Sequence, residues 1–259
     1  MRMVIKIGTS TLAHPGGRIN IRRIEGLCKV ISDLKNAGIE VIVVSSGAIG
    51  MGCGKLSLGS RPDDMATKQA AAAVGQCELM YVYDKLFSEY NHTVAQLLIT
   101  ASDVKHEDRY NNFINTLNRL LELNTIPVIN ENDTIATEEI VIGDNDTLAA
   151  IVCVSVHADL LVLLSDIDGL YSADPHKDSS AKLVSEVRVL DDHILSLGGD
   201  KGSELGTGGM KTKLAAAKLC MESGSDMVIM NGNKPELLYD LVVGKAVGTR
   251  FFHEKRYAG

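Results

Sequence analysis

No run of basic residues occurs in the 259-residue chain, where 26 Lys and Arg stand against 33 Asp and Glu for a formal charge of −7. Without a basic stripe nothing is offered to a nucleic-acid backbone or an anionic membrane surface, so neither partner is expected. Apolar runs long enough to span a bilayer are also missing. The opening residues Met1-Arg2-Met3-Val4-Ile5-Lys6 enter a strand pattern at once, with no room for a charged segment followed by an apolar signal core. A cytoplasmic location is the expectation. The cysteines (Cys28, Cys53, Cys77, Cys153, Cys220) never form C-x-x-C, and most sit in apolar or small-residue stretches, as reduced packing residues do. Neither an H-E-x-x-H pair nor a Cys/His cluster at zinc spacing is present, so no protein-built metal site is expected and a divalent ion should arrive with phosphate. With five prolines, no Ser/Gly linker and no internal repeat, the sequence shows no boundary between independent domains.

What is present is 45% apolar residues, enough for one large α/β domain or two small lobes. Unbroken apolar, β-branched runs at Met3–Ile7, Glu40–Val44, Val94–Ile99, Ile126–Ile129, Leu160–Leu164 and Met227–Met230 read as strands buried on both faces of a parallel sheet. Between the first two, Ile21, Ile24, Leu27, Cys28, Ile31 and Leu34 recur at helical spacing, and Gly38 supplies a stop. Further helices fit Asp64–Tyr90 (with a possible break near Gly75), Asp108–Leu123, Asp146–His157, Met210–Ser223 and Pro235–Val243. The alternation predicts a three-layer α/β/α sandwich around a mainly parallel sheet. One natural division falls near Leu164.

Ligands of such sheets bind beyond the carboxyl ends of the strands, and small polar residues and glycines gather there. Lys6-x-Gly8-Thr9-Ser10 places a lysine in an apolar strand before a turn rich in backbone donors, which suits phosphate, although an edge-strand lysine reaching solvent fits as well. Ser45-Ser46-Gly47-Ala48 could hold an anion at a helix start or could simply cap it. Asn130-Glu131-Asn132-Asp133 and Gly143-Asp144-Asn145-Asp146 form either a polar pocket or a pair of capped turns. Gly198–Gly209 holds six glycines and runs into Met210-Lys211-Thr212-Lys213, an anion cradle or a loose surface loop. It is not the G-x-x-x-x-G-K-[ST] phosphate loop, and neither G-x-G-x-x-G after the first strand nor the H-R-D and D-F-G pair is found.

In order along nearly the whole chain, six blocks resemble the amino-acid kinase family. They are Val4–Ser10, Ser45–Ile49, Pro127–Asp133, Gly143–Asp146, Gly169-Leu170-Tyr171-x-x-Asp174-Pro175 and Gly206–Met210-x-Thr212-Lys213. Within the family they look like the branch that phosphorylates the side-chain carboxylate of glutamate, the first step of proline biosynthesis. The resemblance implies that Lys6 and Lys213 flank the transferring phosphoryl group while Asp146 holds them. It implies ATP contacts from Lys6, Gly8, Ser165, Asp166, Thr207, Gly208, Gly209, Met210, Lys211, Thr212 and Lys213. Glutamate would be held by Ser46, Gly47, Asp133 and Asn145, with Asn130 and Asp144 beside them. Residues 1–164 would then form a glutamate-binding lobe and residues 165–259 an ATP-binding lobe of a single kinase domain. ATP with Mg²⁺ held through its phosphates, a homo-oligomer, proline as feedback inhibitor and hand-off of product to glutamyl phosphate reductase are further implications. The chain resembles short members without the small C-terminal domain, of a type known from RNA-modifying proteins, into which many relatives continue.

The inventory suits this chemistry. A glutamate side chain, with a free pKa of about 4.3, arrives ionised at neutral pH and needs no general base. Its approach to the γ-phosphate brings two anions together, which calls for cations beside them. Asp133 offers a partner for the α-ammonium of free glutamate. A sister kinase for N-acetylglutamate, aspartate, carbamate or a nucleotide is the alternative within the class. A silent glutamate or proline sensor is the alternative outside it, disfavoured by two lysines and an aspartate that sensing does not need. The stretch Gly54–Asp63 reads either as an element reporting inhibitor occupancy or as an ordinary loop.

Overall fold

The structure is a computed structural model that describes residues 1–14, 16–136, 145–175, 177–199 and 209–253. Among the described residues eight strands make one sheet in the order β3-β4-β2-β1-β5-β7-β8-β6. They are β1 (Arg2–Ile7), β2 (Glu40–Val44), β3 (Val94–Ile99), β4 (Ile126–Glu131), β5 (Leu160–Ser165), β6 (Glu186–Val187), β7 (Asp226–Asn231) and β8 (Thr249–Phe251). All neighbours pair in parallel except β7 and β8, which are antiparallel. The helices are α1 (Thr9–Leu12), α2 (Ile21–Asn36), α3 (Ala48–Lys55), α4 (Met65–Ser88), α5 (Ala101–Lys105), α6 (Glu107–Glu122), α7 (Asn145–Ser155), α8 (Asp192–Ser196), α9 (Met210–Glu222) and α10 (Leu237–Val242).

The strand period of two sorts the central strand between two cores. Met3, Ile5 and Ile7 of β1 pack with Leu27 and Ile31 of α2 and Leu79, Tyr83 and Phe87 of α4. Val4 joins the opposite core with Leu148 and Val152 of α7 and Leu214 and Ala217 of α9. These are the layers of the α/β/α sandwich. By the same alternation Lys6 belongs to the face covered by α7 and α9.

The six strands lie where the apolar runs place them, with β1, β4, β5 and β7 each reaching one or two residues further. Burial on both faces fails for β3, which forms an edge of the sheet and has Gln96 exposed and only Ile99 buried. Helix α4 runs unbroken through Gly75, where the sequence allowed an interruption. That glycine serves close packing: a Cβ there would sit 1.8 Å from the carbonyl oxygen of Ala48, and one on Gly52 would sit 1.8 Å from that of Ala71. The backbones of α3 and α4 therefore touch, which fixes the loop entering α3. Strands β6 and β8 have no counterpart in the sequence reading. Two and three residues carry no periodicity; β8 pairs with β7 and β6 on its two sides, and the buried Asp226 of β7 adds side-chain contacts, accepting from Arg250 Nη2 at 2.7 Å and lying 2.7 Å from His253 Nδ1.

Alanine at position 75 would gain about 1 kcal/mol of helix propensity but overlap backbone that has no rotamer to give way, at a cost of about 3 kcal/mol. Gly75→Ala is expected to lower the unfolding free energy by about 2 kcal/mol, read from denaturant unfolding.

Candidate active site

The two crossover directions of the sheet part at β1, which pairs with β2 on one side and β5 on the other. A crevice at such a switch point is where open α/β sheets bind ligands. Because β1 is central, Lys6 is not an edge-strand residue. Its ammonium turns under α7, 2.6 Å from Asp146 Oδ1. Lys213, in the first turn of α9, donates to Asp146 Oδ2 at 2.9 Å. The Thr212 hydroxyl lies 3.1 Å from the same oxygen and 2.8 Å from Gly209 O, so its single hydrogen is shared. Asp146 has no exposed surface, and the two lysine side chains are only 11% and 9% exposed.

A carboxylate so placed is committed to its ion pairs, which removes the plain capping role for Asp146. Burial is the largest influence on it and opposes ionisation. The Lys6 and Lys213 ammoniums outweigh burial and hold the carboxyl below its usual range. Two cations on one anion leave a net positive charge in a crevice ringed by strand ends. Gly8 keeps the approach open, since a Cβ there would lie 3.3 Å from Leu164 O and 4.0 Å from Lys6 Nζ. The donor set therefore fits a phosphate.

A second polar group adjoins the first through α7. Asn145 Nδ2 donates to Ser45 O at 2.6 Å, Ser46 Oγ at 2.9 Å and Asn130 Oδ1 at 2.9 Å, two hydrogens serving three acceptors. Asn130 Oδ1 also accepts from Glu131 N at 2.9 Å. The residue preceding α3 is Gly47, at φ +90°, and no side chain caps the helix, so Ser46 is not a capping residue. A left-handed φ favours glycine there, and a Cβ would also meet Thr9 Cγ2 at 3.3 Å.

Asp133, Ser165, Asp166, Met210 and Lys211 make no described side-chain hydrogen bond or ion pair with either group. Asp133 is half-buried, and burial raises its pKa against the opposing charge of Arg61. Ser165, at the end of β5, donates from Oγ to Asp166 Oδ1 at 3.1 Å, and Asp166 is exposed. Gly209 caps α9, Met210 opens it half-buried, and Lys211 faces solvent, away from Asp146. Asp144, Thr207 and Gly208 lie outside the described residues. Sequence reasoning missed Gln76 and Tyr83 of α4, whose side chains meet Asn130 and Ser45. The available signal was a glutamine on the apolar stripe Ala72, Leu79, Tyr83, Phe87.

Residues 1–231 match the sequence profile described as "Amino acid kinase family". The chain belongs to that family. Within it, the chain is 49% identical over 258 residues to the "Glutamate 5-kinase" of Clostridium perfringens, covering 98% of this chain and 96% of that one. It is 50% identical to the protein of the same name from Listeria innocua, at 98% and 94% coverage. Among solved structures, the fold resembles carbamate kinase from Giardia lamblia (TM-score 0.70, 16% identity, 97% and 98% coverage). It also resembles T. acidophilum isopentenyl phosphate kinase (TM-score 0.68, 20% identity, 97% and 100% coverage). At such identities these two speak for the amino-acid kinase fold alone.

The clamp makes a pH-dependent contribution to the stability of this family member. The folded pKa of Asp146 is lowered, so the contribution is fully present above the unfolded value of about 3.9 and is lost as pH falls through the folded value. Asp146→Asn would leave two buried ammoniums without a counter-charge and should cost about 3 kcal/mol at pH 7. In urea unfolding as a function of pH, the gap between wild type and variant should narrow below about pH 4.

Proposed function

We propose that the chain is a glutamate 5-kinase, which transfers the γ-phosphoryl group of ATP to the side-chain carboxylate of L-glutamate and yields L-glutamyl 5-phosphate for proline biosynthesis. The observation that carries this reading is the buried Lys6–Asp146–Lys213 clamp beside the Ser46, Asn130 and Asn145 group. It is supported by an identity near one half with proteins of that name over 98% of the chain.

Phosphoryl transfer needs positioning and charge rather than covalent help from the protein. Lys6 and Lys213 stand on either side of the transferring group and offset the repulsion between carboxylate and phosphate. Asp146 holds the two ammoniums apart and oriented without neutralising both. Gly8, Ser165, Asp166 and the segment from Thr207 to Lys213 hold ATP at the strand ends and the start of α9, so residues 165–259 serve mainly ATP and residues 1–164 mainly glutamate. In the second group Ser46 Oγ already accepts from Asn145, which leaves its hydroxyl hydrogen for a substrate carboxylate. Gly47 lets the backbone approach, while Asp133 and Asp144 take the α-ammonium. No base is required, because the nucleophile is ionised at about pH 7.

Magnesium bound to the β- and γ-phosphates supplies further positive charge when present. Among the described residues no group of three or more His, Cys, Asp or Glu stands together. Proline acts as feedback inhibitor at a site overlapping that of glutamate. Arg61, within the stretch 54–63 whose first two residues end α3, bears electrostatically on Asp133, which supports a link between that stretch and the acceptor. The enzyme works as a homo-oligomer in the cytoplasm and passes its product to glutamyl phosphate reductase. Its described cysteines are unpaired, and no helix among the described residues is long and apolar enough to cross a membrane.

With ATP, Mg²⁺ and hydroxylamine, the purified protein should form a hydroxamate with glutamate and not with aspartate or N-acetylglutamate. Activity confined to another acceptor would overturn the assignment. Lys213→Ala should lower kcat by about 10³ or more with folding intact by circular dichroism. Added proline should shift the glutamate saturation curve to higher concentration, and a curve that ignores proline would remove the inhibitor from this reading.

A further inference from the structure

Gln76 lies in the middle of α4, 7% exposed, and its amide nitrogen has no hydrogen-bond partner among the described residues. Turning the amide over does not cure this, because the direction of every bond around it is set by backbone groups. Asn145 must present Nδ2 to the Ser45 carbonyl, which can only accept. Asn130 must present Oδ1 to the Glu131 N–H, which can only donate, and Asn145 Nδ2 meets the same oxygen. Asn130 Nδ2 therefore points at Gln76 at 2.9 Å, and Gln76 must answer with Oε1. Its own N–H groups are left over.

A buried donor without a partner is costly, and an apolar side chain at the same position would remove it only by leaving Asn130 Nδ2 unpaired instead. What Gln76 gives in return is an acceptor that holds Asn130. The same face of α4 makes a second such contact: Tyr83, fully buried, lies 3.0 Å through its hydroxyl from Ser45 Oγ, on the residue whose carbonyl anchors Asn145.

We propose that Gln76 is a positioning residue for the carboxylate acceptor: by accepting from Asn130 Nδ2 it holds in place the amide whose Oδ1 receives Asn145, so that the Asn130–Asn145–Ser46 relay keeps its geometry and the Ser46 hydroxyl hydrogen is left for the substrate. The inference rests on the glutamate reading of that site. Without the Gln76 acceptor, the Asn130 amide is anchored through Oδ1 alone, by Glu131 N–H and Asn145, and the oxygen that steadies Asn145 loses its fixed place. Helix α4 touches no residue of the Lys6–Asp146–Lys213 clamp in any described hydrogen bond or ion pair, so the effect belongs to the acceptor and not to ATP.

The experiment compares wild type, Gln76→Met and Gln76→Glu in the glutamate hydroxamate assay. Glutamate is varied at saturating ATP and ATP at saturating glutamate, and thermal midpoints are measured alongside. Gln76→Met should raise the glutamate KM about tenfold, the equivalent of one positioned hydrogen bond, with kcat and the ATP KM within about twofold. Its midpoint should stay close to wild type, since one unpaired donor is exchanged for another. Gln76→Glu keeps an acceptor for Asn130 and should restore the glutamate KM to within about threefold of wild type. It also serves if the methionine variant fails to fold. An unchanged glutamate KM in folded Gln76→Met overturns the proposal. So does a parallel rise of both KM values with a lowered midpoint, or a Gln76→Glu variant as impaired as Gln76→Met. A wild type that forms no glutamate hydroxamate defeats the acceptor reading itself, a separate and recognisable outcome.

Discussion

A carboxylate with no exposed surface, held between two ammoniums from opposite ends of the chain, is the constraint around which the site is arranged. Asp146 could not remain ionised at that depth alone, and Lys6 and Lys213 could not remain so near each other without it. Each group makes the burial of the others tolerable. The odd count, two cations on one anion, is what separates this arrangement from a structural ion pair. A neutral pair would have nothing left for a ligand, whereas this triad keeps a surplus positive charge in a crevice of strand ends.

Around the triad, the fold supplies reach rather than chemistry. Parallel strands bring the ends of β1, β2, β4 and β5 to one edge, and the helices that follow them present their first turns there. The two polar groups share helix α7, in which consecutive residues serve different neighbours: Asn145 the loop after β2, Asp146 the lysines. Behind the second polar group stands α4, pressed onto α3 at Gly52 and Gly75. Close backbone contact there removes the slack that would let Ser46 and Gly47 shift.

Much of this was legible in the sequence, for reasons that differ by element. Strands buried on both faces read as unbroken apolar runs, so β1, β2 and β5 were placed within a residue or so, and β3 was placed as well although the sheet edge leaves it only partly buried. The close approach at Gly75 is a tertiary fact, and locally the glycine looked like a weakness in a helix. Short β6 and β8 carry no period, and the Asp226 contacts that hold β8 join residues distant in sequence. At the site, the lysines and the polar clusters were visible as residue types in the right places. Whether Asp146 caps a helix or binds lysines depends on burial, and only the resemblance to the amino-acid kinases pointed to the second. Gln76 was hidden because an apolar stripe is read for what it buries, and one polar member passes as an exception.

The central place of β1 also bears on how the molecule is made. Its first partner, β2, follows closely, but its second, β5, is some 157 residues away, the separation between Arg2 and Asp159 where the two strands begin to meet. Synthesis proceeds from the N-terminus, so the strand carrying Lys6 must wait, half-paired and apolar, until most of the chain has emerged. Lys213 comes later still. The Lys6–Asp146–Lys213 clamp thus cannot form until most of the chain is made, and the long interval with an open central strand is the period in which the nascent chain is most exposed to wrong pairing.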